Sequence, residues 1–315
     1  MKSFFINDTN PASGPGIFGY RLGKELSGQG HEFTTSSPDN NICIIQGNYI
    51  EGARNILRLD GLYFDPENPD CDTLNAPIFE CYKKFDHIVF QSKFSRDMYE
   101  AFTGVKRPNT IINNGINKSF KEGAEDIRTN HPLMKRFKKV CIASASWRRH
   151  KRLEEIIDTF RLTSLSDVLL LVLGGKDYEP LKNSRTFIPP SNVLLMPTLE
   201  LNEIASWYCA ADAMIHICMF DNCPNSVIEA LSCGVPVLTS HNGGTKELIE
   251  RWSGLVIKLE DDYKVGEMYP YYSPPEIDIL NLSSGILNVL KIGKGFKRPD
   301  LDIKNVAERY LEVMK

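Results

Sequence analysis

Short apolar runs recur along the whole chain, and nearly every one is followed by a segment with helical spacing. The run VLLLVLGG (168–175) has no polar residue before its glycines. A strand covered on both faces reads that way. KVCIASAS (139–146), AMIHICMF (213–220), VPVLTS (235–240) and GLVIKL (254–259) repeat the pattern. Between them, RLEEIIDTFRLTS sets Leu153, Ile156, Ile157 and Phe160 on one helical face. LNEIASWYCAA (201–211) and SVIEALSC (226–233) read as further helices. The first half alternates likewise, with strands SFFI (3–6), NICIIQG (41–47), NILRL (55–59), HIVFQ (87–91) and NTIIN (109–113). Its helices fall near 17–29, 75–84 and 93–102. Such alternation demands parallel sheets wrapped by helices. The expectation is an α/β chain of two domains, the second of them doubly wound. The polar text at 117–137 reads as the connection, giving domains at 1–130 and 131–290 and a helical tail at 291–315.

A length of 315 residues suits two domains, and 42% hydrophobic with 24% charged residues suits packed cores. A net charge of -3 argues against nucleic acid as a partner. The basic runs KRFKK (135–139) and RRHKR (148–152) are either solvated surface or anion-binding. No stretch approaches a membrane span, and MKSFFINDTN lacks a secretory apolar core. The eight cysteines form no C-x-x-C pair, which excludes a zinc ribbon and a dithiol redox motif. They read as buried thiols in a reducing compartment. The expected location is the cytoplasm, with peripheral attachment to a membrane surface left open.

SGPGIFG (13–19) spells G-x-G-x-x-G with Gly14, Gly16 and Gly19. A dinucleotide turn puts its first glycine where the strand ends, and an acidic residue closes the next strand. Here NDTNPAS intervenes, and neither Glu32 nor Asp39 closes a strand. The stretch is expected to be a loop that lets another molecule approach closely, with Gly14 and Gly16 facing the cleft. DCD (70–72) lies in an acidic turn with no strand ending at it, so no metal is expected there.

The most informative stretch is FDNCPNSVIEALSCGVPVLTSHNGGTKELI (220–249). A strand gives way to a polar loop and then to a helix starting near Pro224–Ser226. The free N–H groups of that first turn can hold a diphosphate. Asp221 and Glu229 can face one crevice. Ser226 and Glu229 also fit a capping box, which would stabilise the helix and nothing more.

The stretch resembles the family 4 retaining glycosyltransferases of GT-B architecture, which implies an α/β fold with two Rossmann-like domains facing each other across a cleft. Their signature is an acidic residue, seven residues, then Glu, Ala, a small residue, Gly and Pro-Val. It corresponds here to Asp221, Glu229, Ala230, Cys233, Gly234, Pro236 and Val237, followed by Gly243, Gly244 and Glu247. SASWRRHKRLEEIIDTF resembles the family's basic segment, which implies that Arg148 and Lys151 bind the donor diphosphate, with Arg149 or Arg152 as substitutes. VLGGKD and NVLLMPTLELNEIASWYCAADAMIH resemble its base-binding segments, implying Gly174 and the backbone of Met196, Pro197 and Leu199. Ser92, Asn114 and Gly115 match first-domain positions. The family carries a His near the third strand of that domain. This chain has ILRLDGLYFD there, so Asp60 or Arg58 is expected in its place, while His131 and His150 read as surface residues.

The resemblance implies transfer of a sugar from a nucleotide diphosphate donor, UDP- or GDP-linked, to a glycan or other hydroxyl acceptor, with retention and without a metal or other cofactor. Glu229 would bind the ribose. Asp221 would bind sugar hydroxyls beside the anomeric carbon. Asn222, Cys223, Pro224, Asn225, Ser226 and Val227 would line the donor site. The closing helix would return to the first domain. Rival readings are a glycosyltransferase acting on nucleic-acid bases, a non-catalytic sugar-nucleotide-binding module, and a nucleotide-sugar epimerase.

Overall fold

The computed structural model describes residues 1–315 except 12, 118–119, 121–126, 175–188, 198 and 271, and gives only the backbone of 201 and 202. Its first sheet holds β1 (Ser3–Ile6), β2 (Glu32–Phe33), β3 (Asn40–Ile44), β4 (Arg54–Leu59), β5 (His87–Phe90) and β6 (Asn109–Ile111), in the order β2-β1-β3-β4-β5-β6. The second holds β7 (Lys139–Ser144), β8 (Val168–Leu173), β9 (Val193–Leu195), β10 (Ala213–His216), β11 (Val237–Ser240) and β12 (Gly254–Ile257), in the order β12-β11-β10-β7-β8-β9. Every recorded strand pair in both is parallel.

The helices are α1 (Gly14–Gly28), α2 (Cys71–Lys84), α3 (Lys93–Thr103), α4 (Ile127–Asn130), α5 (Pro132–Arg136), α6 (Leu153–Leu162), α7 (Leu201–Ala210), α8 (Asn225–Ser232), α9 (Ile279–Val289) and α10 (Ile303–Val313). All six residues of β8 are buried, as a central strand covered on both faces requires. The four apolar residues of α6 at helical spacing all enter the core. Amphipathic α10 turns Ile303, Val306, Ala307, Tyr310 and Val313 inward, against Phe4, Phe18 and Leu22 of the first domain. The chain therefore crosses to the second domain and comes back.

Two expectations are corrected. SGPGIFG is not a loop. Ser13 caps α1 by accepting from the Gly16 N–H at 2.9 Å, and Pro15 sits in the first turn, where its missing N–H costs nothing. Gly16 and Gly19 are small because Asp8, Asn10 and Ser13 lie against them. A Cβ on Gly16 would meet the Asp8 carboxylate and Ser13 Oγ, and one on Gly19 the Asp8 carbonyl. The strand AMIHICMF is also shorter than its apolar run. It ends at His216, and Ile217–Phe220 are buried by packing beyond the sheet.

Candidate functional site

The second sheet has the strand order in which ligands bind where the winding direction reverses. That reversal lies between β7 and β10, which are neighbours in the sheet. A cavity of about 490 Å³ opens beyond their carboxyl ends. The end of β7 and the turn after it line the cavity with Ser144, Arg148, His150 and Lys151. The segment after β10 lines it with Asp221, Asn222, Cys223, Pro224, Asn225 and Ser226. The first domain closes it with Gly14, Pro15, Arg58, Asp60, Gln91 and Asn114.

Asp221 is the electrostatic centre. Lys151 Nζ lies 2.5 Å from its Oδ2, and His216 Nε2 lies 3.2 Å from the same oxygen. Burial alone would raise the Asp221 pKa, but Lys151 and His216 outweigh it and hold the carboxyl well below its ordinary value. His216 and His150 go the other way. Burial lowers both, His150 to about 3 with Lys151 adding to the effect, so both rings are neutral at pH 7. The loop carrying Asp221 is folded under by the glycine pair. Gly243 has φ +74, and the Gly244 N–H donates to the Asp221 carbonyl at 2.7 Å.

Glu229 does not cap its own helix. Pro224 is the N-cap of α8 with no side-chain capping bond, and Glu229 faces the first domain instead. Arg21 Nη2 on α1 donates to Glu229 Oε1 at 3.2 Å, and both side chains are largely buried. Burial raises the Glu229 pKa, and Arg21 offsets part of the rise. The capping-box reading of Ser226 and Glu229 is therefore not realised. Among the described residues, the N–H groups of Asn225 and Ser226 in the α8 first turn have no backbone partner.

A chain of hydrogen bonds ties this turn to the other domain. Arg58 Nη2 donates to Asn114 Oδ1 at 2.6 Å. Asn114 Nδ2 donates to the Cys223 carbonyl at 3.0 Å and to Asn225 Oδ1 at 3.1 Å. Asn225 Nδ2 donates to the Gly14 carbonyl at 3.2 Å. Asp60 accepts from Arg58 and Gln91 and borders the cavity, while Arg58 is 1% exposed beneath the Phe18 ring.

Other expected residues lie elsewhere. Arg149 turns away to Glu154 at 2.5 Å and Glu155 at 3.6 Å, held by the acidic first turn of α6. Arg152 is fully buried against Glu260. Val227 is a core residue, as its position on the inner face of α8 requires. Cys223 does border the cavity, but its Sγ is buried and accepts from the Asn114 N–H, and burial pushes the thiol up to about 12. Gly16 packs within its own domain. Gly174 closes β8 beside the Trp147 ring. Met196 donates its N–H to Val172 and buries its side chain, while Leu199 packs on the same core and Pro197 is exposed. None of Gly174, Met196, Pro197 and Leu199 lines this cavity. Gly175, Lys176 and Asp177 of VLGGKD and Thr198 lie outside the described residues. His150 is 1% exposed and not a surface residue, because the turn after β7 folds inward under Tyr272.

The spacing patterns miss Arg21 and His216. Each carried a weak signal: a cation on the apolar stripe of α1 between Phe18 and Leu22, and a histidine inside an apolar strand.

Residues 125–265 match the family model Glycosyl transferases group 1. The group 1 stretch takes in β7 to β12 and so contains Lys151, Asp221 and Glu229. No curated protein matches the chain. Among solved structures, it resembles a sucrose-phosphate synthase from Thermosynechococcus elongatus, with TM-score 0.73 and 13% identity over 99% of this chain and 97% of that one. It resembles Anabaena Alr3699/HepE in complex with UDP-glucose, with TM-score 0.66 and 14% identity over 100% and 99%. It also resembles a glycosyltransferase from Rickettsia africae ESF-5, with TM-score 0.65 and 12% identity over 99% and 97%. The fold around the group 1 stretch is GT-B, two Rossmann-like domains across a cleft.

Proposed function

We propose that this chain is a retaining glycosyltransferase that moves a sugar from a nucleoside diphosphate to a hydroxyl acceptor. The observation that carries the reading is the convergence on one interdomain cavity of Lys151, Arg148, Asp221 and the α8 first turn, at the strand-order reversal of a group 1 domain. The donor's diphosphate would lie between Arg148, Lys151 and the N–H groups of Asn225 and Ser226. Charge grows on that diphosphate as the anomeric bond breaks, and preorganised cations and amides act most strongly at such a point. Asp221, ionised at neutral pH, would accept from sugar hydroxyls and steady an oxocarbenium-like centre. The acceptor oxygen forms the new bond to the anomeric carbon. The old bond's electron pair leaves with the nucleoside diphosphate, whose oxygen takes the acceptor's proton. Glu229 would accept from the ribose, in exchange with or beside Arg21. Titrating donors by thermal shift tests the reading. A ligand at about 100 times its Kd stabilises by about 2.7 kcal/mol. UDP-glucose or a GDP-sugar should raise Tm and release free nucleotide, and Glu229→Ala should weaken both. Absence of nucleotide binding by the wild-type protein would remove the proposal. The Anabaena neighbour's complex with UDP-glucose favours a UDP-linked donor as the first to try.

A further inference from the structure

We infer that the acceptor is a neutral saccharide, not a phosphorylated sugar, seated in a second cavity of the same cleft; this rests on the transferase reading above. That cavity, about 340 Å³, joins the first at Asp60, Arg148, Asp221 and Asn222. A hydroxyl entering through it meets the donor where the two spaces fuse. Its size, at the small end of ligand pockets, suits a short saccharide.

The walls carry rings held in fixed positions. Tyr63 is 46% exposed, and both of its backbone groups bond Asn75, at 3.0 Å and 2.6 Å. Tyr272 is 42% exposed and arrives from the second domain. Its N–H donates to Asp65 Oδ2 at 3.1 Å, and its ring meets His150 edge-on at 5.3 Å. Exposed rings anchored through their backbone offer apolar faces to the C–H face of a sugar while keeping a polar tip in water.

The charges discriminate between acceptors. Asp60, Asp65 and Asp221 border the space, and ionised carboxylates only accept hydrogen bonds, which suits hydroxyl donors. A phosphate there would meet charge of its own sign. Among the described lining residues Arg148 is the single Lys or Arg, and it stands at the seam with the donor cavity. The first turn of α3 borders the space at Phe94 and Ser95, but its N–H groups are taken. Lys93 and Phe94 donate to the Glu247 carboxylate at 2.7 Å and 2.8 Å, and Ser95 donates to Ser92 Oγ at 3.1 Å. A phosphate therefore finds neither a cation of its own nor a free helix terminus.

The test measures nucleotide release from the donor that raises Tm, with a panel of acceptors. The panel holds glucose, methyl glucosides, lactose and cellobiose against glucose 6-phosphate and fructose 6-phosphate. A neutral saccharide should speed release by about tenfold over hydrolysis and yield a glycosylated product, and the phosphosugars should not. Tyr63→Ala should raise KM for that saccharide by about tenfold with a smaller change in kcat, and Tyr63→Phe should restore it. Acceleration by a phosphosugar alone, or by no saccharide of the panel, overturns the inference while nucleotide binding leaves the transferase reading standing. An unchanged KM in Tyr63→Ala overturns the placement of the acceptor. Failure of the wild type to bind any nucleotide removes the transferase reading, and this inference with it.

Discussion

Asp221 draws Lys151 and His216 to a single oxygen atom, so its charge is shared before any substrate arrives. Its folded pKa lies below the unfolded value of about 3.9, so the stability it contributes is present above that pH and fades as pH falls towards the folded value. Asp221→Asn should reduce kcat by about 100- to 1000-fold, the scale for losing one transition-state electrostatic contact, as read by nucleotide release. His150 supplies a second handle. With a folded pKa of about 3 against about 6.5 unfolded, the unfolded chain binds a proton the native ring refuses. Stability is lost as pH drops from about 6.5 towards 3, by about 2 kcal/mol at pH 5 from this ring alone. His150→Gln should flatten that slope in denaturant titrations run at pH 7 and pH 5. Lys151, Asp221 and Glu229 could be singled out in the sequence because each lies in a short stretch that resembles a family segment. Arg21 was not, since its partner lies 208 residues away and only the folded chain brings them together.

Helices α1, α3 and α8 share one design, in which a helix start meets the opposite domain. The N-terminus of α3 is capped from within by Ser92 and from across the cleft by Glu247. Glu247→Gln keeps an acceptor and removes the charge. It should cost about 1 kcal/mol, the scale of a cap, and lower Tm by a few degrees, while Glu247→Ala should cost more. The alternation of apolar runs made most strands and helices legible, because covered parallel strands have few polar positions. The errors fall where something other than a helix or sheet buries the chain. Met219 and Phe220, beyond His216, join Phe64 and Met98 in an interdomain cluster, so the run outlasts its strand. Gly16 and Gly19 of α1 answer to Asp8 and Asn10, a contact that sequence spacing does not display. Ser226 and Glu229 matched a capping box by regular spacing, yet tertiary pairing with Arg21 decided the outcome.

Across the whole molecule, Arg21 and Glu229 form a buried ion pair between the domains. Removing one partner leaves the other buried and uncompensated, which costs about 3–5 kcal/mol. Arg21→Gln should therefore destabilise sharply, and the double variant with Glu229→Gln should recover at least about 1 kcal/mol in a double-mutant cycle. Two α/β domains were legible from the doubled alternation of strand and helix, and their GT-B arrangement from the resemblance carried by residues 220–249. The pairing of cleft residues across it was not, because chain order says nothing of which loop faces which. The last helix imposes an order of events on synthesis. The strands of the first sheet emerge early, but their core includes Ile303, Val306, Tyr310 and Val313. Until residues 303–314 leave the ribosome, Phe4, Phe18 and Leu22 lack a cover, and the earlier-made domain is the later to finish. The nascent chain thus carries an open apolar face throughout elongation of the second domain, a period in which a chaperone has something to hold.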